Sequence, residues 1–238
     1  MADLIVTAVV LNSIDYKEKD KLVKLFTAET GVISAVLKGV KSANSKLKFA
    51  CQPFCFAEFE LVKKGEFYTI TQVNLLDTFF DITCDYDKFL VGEIMLKLCS
   101  SYLKQNFDAK ELFFGLLNLL KSLVYENTDR KIVLLKFFLE ILAFAGYESD
   151  FDFCTNCNDK LTSPIFFDRN TGALVCRNCS ELDCIEFSKE QFAVYKILNN
   201  TDIEKIKSLK LKPVIVDNLL LLLKRVVENL LSVNISSL

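Results

Sequence analysis

Glu58-Phe59-Glu60-Leu61-Val62-Lys63-Lys64-Gly65-Glu66-Phe67-Tyr68-Thr69-Ile70-Thr71-Gln72-Val73-Asn74-Leu75 is the stretch on which the fold turns. Its first four residues alternate polar and apolar, the period of a strand with one buried face. Lys63-Lys64-Gly65-Glu66 has the composition of a hairpin loop, and Phe67 to Leu75 returns rich in β-branched and aromatic side chains. A β-hairpin is therefore expected here. Upstream, Leu4 to Leu11, Lys21 to Thr27 and Val32 to Lys38 read as three more strands, with Thr30-Gly31 as a turn between the last two.

Five strands in about eighty residues suggest a small barrel. The OB-fold is the five-stranded barrel that most often binds oligonucleotides, although an SH3-like barrel or an open sheet has the same strand count. After Asp81 the period changes to that of helices, expected over Asp85 to Gln105, Ala109 to Tyr125 and Arg130 to Ala145. The third carries two apolar faces, one through Ile132, Leu135, Leu139 and Leu142 and one through Val133, Phe137, Ile141 and Phe144. Such a helix is buried on most sides and belongs at the centre of a bundle. Two more helices, Ser188 to Asn199 and Val214 to Leu231, follow, the last with an inward stripe of Leu219, Leu220, Leu223, Val227 and Leu230.

Composition narrows the function. Of 238 residues 51% are hydrophobic and 25% charged, with 7 Gly and 3 Pro, a folded and helix-rich balance. The longest apolar runs are broken by Lys136, Glu140, Lys224 and Arg225, so no membrane span is expected. Nine cysteines without a secretory leader point to a reducing compartment, and the bacterial cytoplasm fits. There is no histidine, which removes Ser-His-Asp hydrolysis, HExxH proteolysis and HxE deamination. Glycines at 31, 39, 65, 92, 115, 146 and 172 are too sparse for a phosphate-binding loop, so ATP hydrolysis is not expected.

Cys154-Thr155-Asn156-Cys157 and Cys176-Arg177-Asn178-Cys179 form two CxxC pairs with 18 residues between them. That spacing suits a four-thiolate zinc site, one Zn2+ held by Cys154, Cys157, Cys176 and Cys179. The segment between them has the pattern of a hairpin, Ile165 to Asp168 returning through Arg169 to Gly172 into Ala173 to Cys176. Four protein ligands leave no open coordination position, so the role is structural. Lys160, Arg169 and Arg177 lie close enough in sequence to offset the complex's negative charge. A redox CxxC would need only one pair. Cys51, Cys55, Cys84, Cys99 and Cys184 lack ligand spacing and are expected in the core. The expected fold class is α+β multidomain: a five-stranded β-barrel with the OB-fold as its oligonucleotide-binding form (residues 1–80), an α-helical bundle domain (81–150 and 184–238) and an inserted zinc module (151–183).

Between Glu29 and Glu58 no acidic residue occurs, whereas Lys38, Lys41, Lys46 and Lys48 all do. Residues 1–80 carry 10 Lys against 9 Asp and Glu, so overall charge says little and any nucleic acid must bind this local patch. Lys63 and Lys64 extend it, and Tyr68 is the flanking aromatic expected to be exposed enough to stack on a base; Phe49, Phe54, Phe56 and Phe67 are expected mostly in the core. Four phosphate contacts to a single strand imply a log-log salt slope of about −2.8.

Asp15-Tyr16-Lys17-Glu18-Lys19-Asp20-Lys21 followed by Leu25-Phe26-Thr27-Ala28-Glu29-Thr30-Gly31 resembles the amino-terminal signature of the RecO family. Leu37-Lys38-Gly39-Val40-Lys41-Ser42 resembles that family's AKGxRxxKS segment, Gln52-Pro53-Phe54 its QPF, and Glu58 to Leu61 the strand after it; the four cysteines stand where zinc-binding members carry theirs. The resemblance implies a non-enzymatic, nucleoid-associated DNA repair and recombination mediator of the RecF pathway. Such a mediator binds single- and double-stranded DNA, anneals complementary strands without ATP and contacts the C-terminal tail of single-strand binding protein. With RecR, and possibly RecF, it would help load RecA. Lys38 and Lys41, and more loosely Lys46 and Lys48, are the DNA contacts it implies. Lysine stands here where many members have arginine, which removes bidentate phosphate contacts and implies weaker binding. The competing reading is a zinc-stabilised protein-interaction adaptor that does not touch DNA. A thiol oxidoreductase using the CxxC pairs is the third.

Overall fold

A computed structural model of the chain describes residues 4–103, 108–126, 128–207 and 209–235. The expected helix end at Gln105 lies outside the described residues. The chain divides into two compact units, residues 1–124 and 125–238.

The first unit begins with five strands, β1 (Leu4–Tyr16), β2 (Asp20–Thr27), β3 (Gly31–Leu37), β4 (Phe56–Lys64) and β5 (Phe67–Asp77). They close into a barrel in the order β1-β2-β3-β5-β4. All neighbours are antiparallel except β3 and β5, which close the barrel in parallel at Ala35↔Tyr68 and Val36↔Thr69. This is the expected OB-type barrel, and alternation explains its interior. Val6, Ala8 and Val10, Val23 and Leu25, Ile33, Ala35 and Leu37, Ala57, Phe59 and Leu61 all point inward. Each large member removed from water contributes about 1.5–3 kcal/mol. The intervening Glu58 and Glu60 of β4 and Gln72 and Asn74 of β5 form an outer polar face.

Two strand limits differ from expectation. β1 continues past Leu11 to Tyr16 because its polar second half keeps pairing with β2, down to Tyr16↔Asp20, after an irregularity between Val10 and Asn12. Lys63 and Lys64 are the last residues of β4, paired with Tyr68 and Phe67, so the hairpin loop shrinks to Gly65-Glu66.

Helices α1 (Phe80–Cys84), α2 (Tyr86–Tyr102) and α3 (Lys110–Tyr125) follow the barrel. The short α1 was not expected. Asp85 caps α2 by accepting from the backbone N–H groups of Asp87 and Lys88. The helix is fastened to the barrel by Lys24 Nζ donating to the Ser100 carbonyl at 2.7 Å and Asn12 Nδ2 donating to Ser100 Oγ at 3.1 Å. From α3, Phe113 packs edge-on against Phe26 with ring centroids 5.3 Å apart.

The second unit is built on α4 (Arg130–Phe144), α5 (Lys189–Asn200), α6 (Ile203–Ile206) and α7 (Pro213–Leu231). Every residue of α4 from Ile132 to Leu139 is buried, as its doubled apolar pattern predicts. The inward face of α7 includes Leu219, Leu220, Leu223 and Val227, while Leu230 is half-buried and Leu231 takes the buried place. A three-stranded sheet, β7 (Leu174–Val175), β6 (Ile165–Asp168) and β8 (Cys184–Phe187) in that order, joins these helices. β8 and α6 are too short to leave a periodic signal. The sheet is stitched to the helices by aromatic rings, Phe167 stacking on Phe187 at 4.7 Å and meeting Tyr195 of α5 edge-on at 5.8 Å. The buried Tyr195 hydroxyl shares a 2.7 Å hydrogen bond with Ser149 Oγ, which donates to the Gly172 carbonyl. The cysteine segment therefore leans on the helices as well as on any metal. No described helix is long and apolar enough to cross a membrane.

Candidate nucleic-acid interface and candidate metal centre

The barrel's lysines gather through strand register. In the β1–β2 turn stand Lys17, Glu18 and Lys19, and Lys21↔Leu37 brings the end of β3 beside that turn. The chain leaves β3 through Lys38 and Gly39, the latter at φ +64, a left-handed conformation that costs a glycine little. Gly39 N–H donates to Asp20 Oδ1 at 2.8 Å, and Lys41 N–H donates to the Lys19 carbonyl at 3.1 Å. The crossover carrying Lys38 and Lys41 is thus hydrogen-bonded to the β1–β2 turn. The parallel closure Ala35↔Tyr68 and the pairing Lys63↔Tyr68 set the ends of β3, β4 and the start of β5 side by side. Tyr16 meets Phe67 edge-on at 6.2 Å, which joins the two hairpins.

Lys38, Lys41, Lys46, Lys48, Lys63 and Lys64 are all exposed. Lys38 and Lys41 follow the end of β3, whereas Lys63 and Lys64 end β4, which lies two strands from β3 across the start of β5. Lys46 and Lys48 lie further along the crossover, where Lys48 Nζ donates to the Ala43 carbonyl at 3.0 Å at the start of a 3-10 turn, Lys48–Cys51. Tyr68 is half-buried rather than exposed, because it packs on the barrel core with Lys63 Nζ 4.5 Å from its ring centroid. Phe54 is fully buried, whereas Phe49, Phe56 and Phe67 are half-buried.

The window that lacks acids in sequence does not lack them in space. Asp15 Oδ2 of β1 lies 2.8 Å from Lys41 Nζ, and Asp15 Oδ1 lies 3.7 Å from Lys21 Nζ. The hydrogen bond and charge of Lys41 hold the Asp15 carboxyl below the usual range, Lys21 adding to the effect. Sequence reasoning missed Lys17, Lys19 and Lys21, since they alternate with Asp15, Glu18 and Asp20 and their charge cancels in any running count. Lys24, on the same strand, turns to Ser100 instead and leaves the cluster.

In the second unit the sulfurs of Cys154, Cys157, Cys176 and Cys179 all lie within 4.8 Å of one another, and Cys157 and Cys176 are 3.8 Å apart. A tetrahedral ion with metal–sulfur bonds of about 2.3 Å requires sulfur separations of about 3.8 Å. The four residues fit one metal ion. Each pair sits on a tight turn: Asn158 N–H donates to the Cys154 carbonyl at 2.8 Å, and Cys179 N–H to the Cys176 carbonyl at 3.1 Å. The bridge Phe153↔Lys160 closes the first turn, and the bond from Thr155 N–H to the Leu174 carbonyl ties it to the strand that leads into the second. Burial opposes ionisation of Cys154, yet backbone N–H groups of Cys157, Cys176 and Asn156 outweigh it and bring the thiol down to about 6. At Cys157 the Asp159 backbone N–H favours the thiolate, but burial and the neighbouring sulfurs of Cys154 and Cys179 push the thiol up to about 12. Crowded sulfurs without a cation accept one negative charge readily and a second reluctantly.

Arg169 is engaged by Asp183: its Nε donates to the Asp183 carbonyl at 2.9 Å, and its Nη2 stands 3.4 Å from Asp183 Oδ1. One expectation near this centre is corrected. Among the remaining cysteines Cys51, Cys55 and Cys99 are buried, but Cys84 at the end of α1 is exposed and Cys184 in β8 is half-buried. An edge strand and a one-turn helix leave those two near the surface.

Family models cover nearly the whole chain. Residues 1–79 match the family model described as recombination protein O, N terminal, and residues 84–238 match recombination protein O, C terminal. Among curated relatives, the DNA repair protein RecO of Clostridium novyi (strain NT) is 32% identical over 197 residues, 83% of this chain and 77% of that protein. RecO of Caldicellulosiruptor saccharolyticus is 29% identical over 206 residues, 85% of this chain and 83% of the relative. RecO of Alkaliphilus metalliredigens is 27% identical over 233 residues, 96% of this chain and 94% of the relative. With the barrel matched by one model and the helices and cysteines that follow it by the other, the chain belongs to the RecO family of DNA repair proteins.

Proposed function

We propose that this chain is a recombination mediator whose barrel, residues 1–80, binds the phosphate backbone of DNA and anneals complementary strands without hydrolysing a nucleotide. The observation that supports this reading is the gathering of Lys38 and Lys41 beside Lys17, Lys19 and Lys21 of the β1–β2 turn, with Lys63 and Lys64 exposed at the end of β4 two strands from β3. Lysines neutralise phosphates without reading bases, so binding is sequence-independent and salt-sensitive. Single strands and duplexes both present that backbone. Lys46 and Lys48 extend the path along the crossover, and Tyr68 supports Lys63 from beneath.

The four-cysteine centre holds one structural Zn2+ through Cys154, Cys157, Cys176 and Cys179, with no open position for a substrate. Membership of the family supports the remaining partners: RecR, the C-terminal tail of single-strand binding protein, RecF, and RecA loading on coated single strands. The test is annealing of complementary oligonucleotides coated with single-strand binding protein, with and without ATP. Equal annealing in both conditions supports the reading. Absence of DNA binding together with recovery of protein partners would favour a zinc-stabilised adaptor.

A further inference from the structure

Asp15 is out of place at the lysine-bearing end of the barrel. It lies in the last turn of pairing of β1, opposite Lys21, with its side chain 62% exposed, and five lysines, 17, 19, 21, 38 and 41, surround it along the chain and through register. It contacts two of them. Oδ2 is 2.8 Å from Lys41 Nζ and Oδ1 is 3.7 Å from Lys21 Nζ. Lys21 Nζ also reaches Ser13 Oγ at 3.5 Å, and the Lys41 backbone is fixed to Lys19.

A carboxylate bridging two ammonium groups offers what a phosphodiester offers, two oxygens sharing one negative charge. We propose that Asp15 is an internal stand-in for a backbone phosphate: it neutralises Lys41 and Lys21 in the free protein, and a DNA phosphate must displace it to bind there. This inference rests on the proposed DNA-binding reading of the barrel. The consequence is deliberate weakness. An annealing protein has to release the duplex it forms, and a resident competitor lowers affinity at that point without removing the lysines that guide the strand in. The Asp15 contacts are exposed, and such pairs contribute modestly, so the competition is worth a few-fold in affinity rather than orders of magnitude.

The experiment measures binding of the full-length protein to a fluorescent single-stranded oligonucleotide in 50 and 200 mM salt. Asp15→Asn is expected to tighten binding about two- to fivefold at the lower salt, with a smaller gain at the higher, because screening weakens both competitor and ligand. Two comparisons give the result its meaning. Glu18→Gln changes net charge equally from the same turn, and in the Lys41→Gln background the Asp15→Asn gain is expected to vanish if the two side chains act as a pair. A gain specific to Asp15 and dependent on Lys41 supports the proposal. An unchanged or weaker Asp15→Asn variant, or an equal gain from Glu18→Gln, overturns it while leaving the barrel as the DNA site. If Lys38→Glu binds as tightly as the unmodified protein, the reading of the barrel end itself fails, and this proposal falls with it.

Discussion

The ring of Phe54 lies directly over Gly92 of α2, so close that a Cβ added to the glycine would stand 2.7 Å from Phe54 Cε1 and 3.0 Å from Cζ. Phe54 is fully buried and holds φ +71, a backbone conformation that a bulky residue adopts only when its surroundings compel it. Gln52-Pro53-Phe54 is thus the latch between barrel and α2, with Phe89 of that helix packing edge-on against the same ring at 6.0 Å. Gly92→Ala is expected to force the ring aside and destabilise the first unit by about 1–3 kcal/mol, despite alanine's better helix propensity. Urea unfolding measures it. A neutral or stabilising substitution would show that the ring moves freely.

Asp20 provides a test of positioning against charge. Its Oδ1 accepts from Gly39 N–H and so fixes the start of the crossover that carries Lys38 and Lys41. Asp20→Ala removes one negative charge beside the lysines, which by charge alone would tighten DNA binding. Binding is nonetheless expected to weaken, because a loop that samples many conformations must be ordered when the strand arrives. Asp20→Asn retains an acceptor oxygen and is expected to restore most of the affinity. Oligonucleotide binding by the three proteins at one salt concentration decides the matter.

The cysteine centre predicts a metal-dependent second unit. The purified protein is expected to hold about one Zn2+ per chain, and zinc uptake by the stripped protein should release protons, since Cys157 is a neutral thiol at pH 7 without a cation. Cys154→Ser or Cys176→Ser should abolish retention and lower thermal stability. Cys84→Ser, at an exposed position on α1, should do neither. Metal analysis with calorimetry reads both outcomes.

Glu140 gives the fold a pH dependence. Burial raises its carboxyl from the ordinary 4.5 to about 6, Lys136 countering in part and Asp202 adding to the rise. Its Oε1 is 3.8 Å from Lys136 Nζ, while Oε2 is buried with no hydrogen-bond partner among the described residues. The folded chain therefore holds this proton more tightly than the unfolded chain. Stability from Glu140 is gained as pH falls through about 6 towards 4.5 and is absent above 6. The difference is on the order of 2 kcal/mol. Because zinc binding also weakens in acid, the measurement is the difference between the unmodified protein and Glu140→Gln. That difference should move in favour of the unmodified protein as pH falls from 7.5 to 4.5.

Alternation in the first eighty residues was enough to predict the five strands, since a barrel with one buried face per strand imposes its period on the sequence. Helix α4 was legible for the opposite reason: apolar residues all around it admit no exposed face. The four cysteines were legible because metal coordination requires close sequence spacing within each pair. What stayed hidden depends on contacts between distant residues. The polar half of β1 has no apolar stripe, and only pairing with β2 makes Asn12 to Tyr16 a strand. Asp15 and Lys41 are 26 positions apart, so no local count could reveal that one neutralises the other. Tyr68 has the parity of the core residue Ile70, and it stands beside inward-facing Ala35 in the parallel closure, so it is half-buried rather than exposed.

The central claim, that lysines at one end of the barrel neutralise DNA phosphates, is tested most directly by the salt dependence of single-strand binding for the unmodified protein and for Lys38→Gln/Lys41→Gln. Each phosphate contact to a single strand contributes about −0.7 to the log-log slope, so losing two of them should make it shallower by about 1.4, with affinity falling at every salt concentration. A double variant that keeps the full slope and affinity would contradict the account, because the phosphates would then be meeting some other surface.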